Sequence, residues 1–241
     1  NLMRIKIFVL LCLTAIMQFT GVTPLKASHY YYKQLSLKDG VTSAVRCILT
    51  DKQGFVWIGT KAGISRYDGH ELKKYVHSPN NPHSIPNNLI HQIAEDEMSN
   101  IWILTDKGIA RYQRQSDDFF LPTDEKGNPI IAYSTCLTKD GVLFGSKDKV
   151  YFYSYRDSSL RLLQKLNKGN NFNISLLSLW NEHTVLCCSR WQGLALLDLK
   201  TGKHRLPPFD CGKEIMNMLI DSQNRIWIAP YNEGIKCFTH N

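Results

Sequence analysis

Two short loops hold the residues whose types best fit the binding of a small molecule. One loop reads Ser189-Arg190-Trp191-Gln192, and the other reads Tyr231-Asn232-Glu233. Sugars stack their apolar faces on aromatic rings, while their hydroxyl groups take hydrogen bonds from guanidinium and amide groups. The two loops are therefore the candidate site for a carbohydrate ligand. The alternative is that Trp191 simply packs against a neighbouring structural unit.

The sequence contains no recognisable catalytic arrangement. The eight histidines are scattered without metal-ligand spacing, and no Gly-x-Ser-x-Gly motif or phosphate-binding glycine loop occurs. The turn Asp51-Lys52-Gln53-Gly54 also differs from the Asp box of sialidase-type propeller enzymes, because two residues rather than one separate its Asp from its Gly. We therefore predict no catalytic residue, no cofactor and no metal site.

The two loops belong to a unit that recurs about every forty residues. Its best copy, residues 45–68, combines an Asp-x-x-Gly turn, a Trp between aliphatic residues and a Gly-Ile-x-Arg-Tyr segment. Residues 90–112 and 215–238 repeat this pattern, whereas two middle units keep only its hydrophobic rhythm, with Leu143 and Val185 at the Trp position. The positions expected to be structural are Asp51, Gly54, Trp57, Gly59, Gly63, Tyr67, Trp102, Gly108, Tyr112, Trp227 and Gly234.

Each unit is predicted to form four short strands, which in the first unit span residues 43–50, 55–60, 64–68 and 71–77. The aliphatic neighbours of each Trp indicate that strand two is buried on both faces, as it is between stacked sheets. The chain is therefore predicted to be all-β, a β-propeller with five four-stranded blades here and seven in the full ring. Residues 31–37 are predicted to form an extra strand that pairs with the last blade. Loops between strands two and three share one rim with the blade-to-blade loops, so the two candidate loops should be neighbours.

The repeat resembles the two-component regulator propeller repeat, whose pattern residues 45–68 match almost position for position. The resemblance covers about residues 31–238. It implies the periplasmic sensor region of a membrane-spanning hybrid histidine kinase of the Bacteroides type, which detects carbohydrate breakdown products and can form a homodimer. The kinase and any membrane helix would lie outside these 241 residues. The alternatives are a secreted propeller that acts as a binding scaffold and a propeller enzyme that acts on glycans.

The first 27 residues are predicted to be a secretory signal peptide. Arg4 and Lys6 precede a short apolar run, and a cleavage site fits after Ala27. An uncleaved membrane anchor is the alternative reading. Residues 28–241 then form the propeller domain on the periplasmic side of the inner membrane. The missing initiator methionine and the end after strand three of unit five lead us to expect that the chain is part of a longer product.

The composition fits an exported globular domain. The formal net charge is +8 and falls to +5 without the basic residues of the predicted signal peptide, and no Lys/Arg block occurs, so we predict no nucleic-acid partner. Four of the seven cysteines, Cys47, Cys187, Cys188 and Cys237, lie within apolar strand patterns. We expect these thiols to be buried as small hydrophobic groups, and the sequence leaves their disulfide state open.

Overall fold

The computed structural model describes residues 34–35, 44–166 and 172–239. All of the regular secondary structure in these residues is β-strand, arranged in five antiparallel sheets. The sheets belong to one unit, residues 35–241. The predicted signal peptide lies outside the described residues. So does most of the predicted strand at 31–37, of which only Gln34 and Leu35 are described, neither of them in a strand.

Each repeat forms one sheet, with its strands paired in chain order from the first to the last. The first sheet contains β1 (Val45–Thr50), β2 (Val56–Thr60), β3 (Gly63–Tyr67) and β4 (Leu72–Tyr75). The second contains β5 (Ile90–Glu95), β6 (Ile101–Thr105), β7 (Gly108–Gln113) and β8 (Asp118–Phe120). The third contains β9 (Ser134–Thr138), β10 (Gly141–Ser146), β11 (Lys149–Ser154) and β12 (Leu160–Lys165). The fourth contains β13 (Ile174–Asn181), β14 (Thr184–Ser189), β15 (Gly193–Asp198) and β16 (His204–Arg205). The fifth contains β17 (Ile215–Ile220), β18 (Ile226–Pro230) and β19 (Lys236–Phe238). These are the blades of an all-β propeller, and the strand bounds in the first blade lie close to those predicted.

The core consists of the layers between successive blades. Trp57 on β2 packs with Ile90 and Tyr112 of the second blade, and Trp102 on β6 packs with Phe144 and Tyr153 of the third. Both tryptophans are fully buried. One face of the second strand of a blade thus packs against the following blade, and the opposite face packs against the preceding blade. The strand is apolar on both sides because both faces are buried.

The Trp-equivalent position in the fourth blade is Leu186, one residue beyond the predicted Val185. Leu186 lies in the layer against the fifth blade, whereas Val185 lies in the layer against the third. Neighbouring residues of a strand point to opposite faces, so an error of one residue changes the blade that a side chain contacts. Leu143 does occupy the Trp-equivalent face in the third blade.

The Asp of each strong repeat holds the Trp six residues later. The indole Nε1 donates to a carboxylate Oδ2 over 3.0 Å for Trp57 and Asp51, 2.7 Å for Trp102 and Asp96, and 2.8 Å for Trp227 and Asp221. The Oδ1 atom of each Asp accepts backbone N–H groups two and four residues further on. One carboxylate thus closes the turn and fixes the ring of the following strand.

The turn that each Asp closes contains a residue in the left-handed backbone region. It is the third residue after the Asp: Gly54, Ser99 or Asn224, with φ values of 89°, 61° and 61°. The predicted glycine at this position is therefore one of several residue types that the turn accepts, since Asn and Ser at positive φ cost less than bulky side chains.

Arginines at one repeat position join neighbouring blades. Arg66 donates from Nη1 to the hydroxyl of Tyr112, and Arg111 donates to the hydroxyl of Tyr153 over 2.8 Å. The ring centroids of Trp57 and Tyr112 are 4.8 Å apart, with edge-to-face geometry. These contacts place Arg66 and Arg111 in the blade interfaces, with no role at the rim.

The burial of the cysteines differs from the prediction at one position. Cys187 and Cys188 are buried and Cys47 is partly buried, but Cys237 is exposed. Cys237 on β19 lies opposite Trp227 on β18 in the strand register. Both side chains are on the sheet face that points away from the fourth blade. The apolar strand pattern did predict a strand there, but it did not reveal that this face has no packing partner among the described residues.

Candidate functional site

The loops between strands two and three lie at the same end of the blades as the segments that lead into the next blade. The N–H groups of Gly63, Ile174 and Ile215 form hydrogen bonds of 2.8, 2.8 and 2.9 Å to the carbonyl groups of Asn88, Lys147 and Arg190. Each bond joins the loop of one blade to the lead-in segment of the following one. We call this end of the blades the loop rim.

Trp191 is exposed on the loop rim. Its relative accessibility is 61%, so it does not pack into a neighbouring blade. The Arg190 guanidinium carbon lies 5.2 Å from the centre of the Trp191 ring, and the Arg190 Nη2 lies 3.6 Å from the Met216 sulfur. The guanidinium is close enough to the ring for a cation–π interaction, and the ring remains largely open to solvent.

The second candidate loop presents Tyr231 on the same rim. Tyr231 is 55% exposed, and its N–H donates to the Glu214 carbonyl over 2.7 Å. Asn232 adopts a left-handed conformation with φ of 60°, which is what turns the chain sharply after β18. Asn232 and Glu233 of this loop are exposed as well.

The Glu233 carboxylate is already engaged. Its Oε2 lies 2.7 Å from the Lys236 Nζ, which also lies 3.9 Å from an Asp210 oxygen. The hydrogen bond to Glu233 raises the pKa of Lys236, so the lysine stays charged at neutral pH. Glu233 is therefore suited to hold the loop or to accept a hydrogen bond from a ligand hydroxyl, and its position gives no catalytic arrangement.

A glycine brings the two loops together. A Cβ atom on Gly193, which ends the first loop, would lie 3.1 Å from the Gly212 carbonyl oxygen. A Cβ on Gly212 would in turn lie 3.4 Å from a Glu233 carboxylate oxygen. The blade-to-blade segment at Gly212 thus lies between the loops, and the structure places all six predicted binding residues on one rim. The sequence did not reveal this spacer role of Gly212.

A polar group on the second and third blades was also missed by sequence analysis. The Nε2 atom of His91 lies 2.6 Å from an Asp106 oxygen, and the His91 ring centre lies 5.2 Å from that of Tyr133. Tyr133 is 44% exposed. These residues are far apart in sequence and conform to no motif, so only the folded chain shows that they meet.

Comparison with known proteins supplies the family of the repeat. Residues 39–62 match the family model described as the two component regulator propeller. The chain carries this propeller repeat. The repeat model covers the first blade through the loop after β2, and the Asp, Gly and Trp positions described above lie within it.

Relatives of the propeller are found among sensor proteins. A 59-residue stretch is 37% identical to a protein of Formosa agariphila named histidine kinase P4, and spans 24% of this chain and 4% of that protein. The extracellular domain assigned to the hybrid two component system BT3049 of B. thetaiotaomicron superposes with a TM-score of 0.71 at 18% identity, over 87% of this chain and 30% of that one. The extracellular domain assigned to the one component system BT4673 of B. thetaiotaomicron superposes with a TM-score of 0.68 at 18% identity. The match covers 88% of this chain and 34% of that one. The chain thus spans about a third of the solved domains that it matches, and these structures establish the propeller fold.

The described part of the chain holds no group of three or more His, Cys, Asp or Glu side chains placed to bind a metal ion. No helix within residues 44–166 or 172–239 is long and apolar enough to cross a membrane.

Proposed function

We propose that this propeller is the ligand-sensing domain of a two-component signal transduction system. The ligand is an oligosaccharide released by polysaccharide breakdown, and the domain faces the periplasm. The kinase activity resides in a domain outside these 241 residues, and the full sensor acts as a homodimer. The observation that carries the proposal is the pair of exposed rings, Trp191 and Tyr231, on one rim of a two component regulator propeller.

The chemistry of the rim supports a sugar ligand. Backbone hydrogen bonds fix the two loops that carry the aromatic rings, from the Ile215 N–H to the Arg190 carbonyl and from the Tyr231 N–H to the Glu214 carbonyl, which lowers the cost of ordering the loops on binding. Amide and guanidinium groups flank them at Gln192, Asn232 and Arg190. A ligand that spans both loops would couple the fourth and fifth blades, which provides a physical route from binding to a change in blade packing.

Binding to an oligosaccharide array, followed by calorimetry with the best ligands, tests the site. We expect Trp191→Ala and Tyr231→Ala each to weaken binding by about tenfold, the loss of one stacking contact. Phe120→Ala is the matched control, because Phe120 is exposed on an outer strand with Arg111 5.1 Å from its ring centre and lies away from the rim. If the array yields no ligand, or if the two rim variants bind like the control, the site is wrong.

The link to a kinase is tested by the reading frame on either side of this sequence. We expect a membrane-spanning segment and a histidine kinase domain in the same frame. A frame that closes after further repeats, without either feature, would favour a secreted binding scaffold instead.

A further inference from the structure

The first strand of most blades carries a β-bulge at its rim end. In four of the described sheets the strand pairing skips one residue at the same place: Arg46, His91, Ser175 and Met216. A bulge turns the extra side chain out of the regular alternation, and bulges are common where a side chain must be aimed. The repeat therefore presents a variable side chain from each bulge on the loop rim.

Contacts join these bulge residues to the neighbouring rim loops. His91 binds Asp106 of the β6–β7 loop and packs beside Tyr133, which leads into the third blade. The sulfur of Met216 lies 3.6 Å from the Nη2 atom of Arg190, which belongs to the β14–β15 loop. A bulge residue and a rim loop thus meet within the second blade and between the fourth and fifth blades.

On the first three blades the bulge and loop residues of the rim include four cations and two carboxylates. Arg46 and the loop residues Lys61, Lys107 and Lys147 are all exposed, and none of the four forms an ion pair with another described residue. The carboxylates in the same loops have partners of their own, because an Asp106 oxygen lies 2.6 Å from the His91 Nε2 atom and an Asp148 oxygen lies 3.7 Å from the Lys165 Nζ atom. Among the described residues, the four cations thus have no ion-pair partner.

Turn chemistry explains why the charge gathers at this end. At the opposite end the turns are closed by carboxylates, as at Asp51, Asp96 and Asp221. At the loop rim a neutral threonine hydroxyl closes the turn instead of a carboxylate. Thr60 Oγ1 accepts a hydrogen bond from the N–H of Ala62, and Thr105 Oγ1 accepts one from the N–H of Lys107. The rim turns thus need no carboxylate to close them, although Asp106 lies next to Lys107 and Asp148 next to Lys147 in the chain.

We infer that the loop rim of blades one to three binds an oxyanion, a carboxylate or a sulfate, carried by the oligosaccharide ligand. The inference rests on the proposed function for the sugar and adds that the sugar is acidic. Lys61, Lys107 and Lys147 come from three successive blades, so an extended chain with a charge on successive sugars fits this surface better than a single small anion. His91 and Tyr133 supply a hydrogen-bonding group and a ring between the charges.

Calorimetry with three oligosaccharides of equal length tests the inference: an oligogalacturonate, a sulfated oligosaccharide and a neutral malto-oligosaccharide. We expect one of the two acidic ligands to bind the purified chain, and the variant Lys61→Gln/Lys107→Gln/Lys147→Gln to bind it at least about tenfold more weakly. The matched control is Lys139→Gln/Lys200→Gln/Lys203→Gln, three exposed lysines at the opposite end. The single variant Arg46→Gln should also weaken binding of the acidic ligand, but by less than the triple lysine variant. Circular dichroism of every variant confirms that the fold is retained.

The outcomes separate this inference from the proposed function. Binding of the neutral ligand that needs Trp191 but not the three lysines would overturn the inference and leave the proposed function intact. Absence of binding to all three ligands and to the array would end both. A DNA oligonucleotide of equal charge that binds as tightly as the acidic sugar would also overturn the inference, since the lysines would then recognise any polyanion. The carboxylate and sulfate ligands together decide which oxyanion the rim prefers.

Discussion

At the scale of single residues, the Asp of each strong repeat organises its blade. Asp96 is almost fully buried and accepts hydrogen bonds from Trp102, from two backbone N–H groups and from the Asn100 amide. Burying a carboxylate is costly unless its oxygens are fully hydrogen-bonded, and here they are. The residue is retained because one group satisfies several buried donors at once.

Replacement of Asp96 by Ala should therefore destabilise the protein. Several buried donors, including the Trp102 indole N–H, would lose their acceptor, and we expect a loss of about 3 kcal/mol in the free energy of unfolding. Asp124→Ala is the control, since Asp124 accepts N–H groups two and four residues on in the same way but holds no Trp. Urea denaturation should show that the control loses less than about 1 kcal/mol in the free energy of unfolding. Equal losses for the two variants would mean that the hydrogen bond to the Trp102 indole contributes nothing to stability.

Asp117 makes the first blade interface sensitive to acid. Burial acts to raise the pKa of its carboxyl group, but hydrogen bonds from Lys73, Tyr112 and Tyr75 outweigh it and lower the pKa to about 2. The unfolded chain titrates near 3.9. A depressed folded pKa stabilises the protein above about pH 4, and this stabilisation is lost as the pH falls through 4 towards 2.

Asp117→Asn should remove that pH-dependent part. We expect the variant to be less stable than wild type by on the order of 1 kcal/mol at pH 6, allowing for solvent screening, with the difference shrinking between pH 4 and pH 2.5. Thermal melts across this range measure it, with the exposed Glu125→Gln as the control. A difference that stays constant with pH would refute the assignment.

At the scale of elements, blade packing depends on how closely successive strands approach. A Cβ on Gly59 of β2 would lie 2.8 Å from Ile90 of the next blade, and a Cβ on Gly145 of β10 would lie 2.6 Å from Ile174. Gly59 also lies against the Cys47 sulfur, which its Cβ would meet at 2.5 Å. Both glycines thus let the first strand of the next blade lie against the second strand of their own.

Gly59→Ala should push the first two blades apart. The added methyl group meets a β-branched side chain that has little freedom to move, and we expect a loss of about 2 kcal/mol in the free energy of unfolding. Gly202→Asn is a suitable control, because its site is open within 4 Å and its φ of 67° suits Asn. If calorimetric melts place the two variants at the same temperature, close strand approach is not what requires Gly59.

At the scale of the whole molecule, the fifth blade exposes an apolar face. Leu219 is 62% exposed and lies across from Trp227, whose neighbour on β19 is the exposed Cys237. In the other blades the equivalent face is covered by the following sheet. An exposed sheet face of this kind promotes association.

We expect the purified chain to associate at micromolar concentrations in the presence of a reducing agent. Leu219→Lys should shift it towards the monomer, because a charge on that face opposes burial. Light scattering coupled to gel filtration measures the change, and Met98→Lys is the control, since Met98 is 67% exposed in a turn rather than on a sheet face. A wild-type chain that stays monomeric at all concentrations would contradict the prediction.

The local interactions of this protein could be predicted from its sequence, and the contacts between blades could not. The repeat spacing, the Asp-closed turns and the apolar second strands predicted the number of blades and the strand bounds of the first blade, because each depends on residues within a few positions of one another. The same reasoning placed the Trp191 and Tyr231 loops on one rim.

The tertiary structure alone decided which residues meet between blades. Sequence analysis assigned Val185 where Leu186 faces the next blade and buried Cys237 where no sheet of the described residues covers it. It also gave no sign of the bulge that aims His91 at Asp106 and Tyr133. Side chains alternate with a period of two, so the assignment of a face depends on strand register, and register depends on turns and bulges that a residue pattern specifies weakly. The face that each residue presents, and so its partner, therefore required the folded chain.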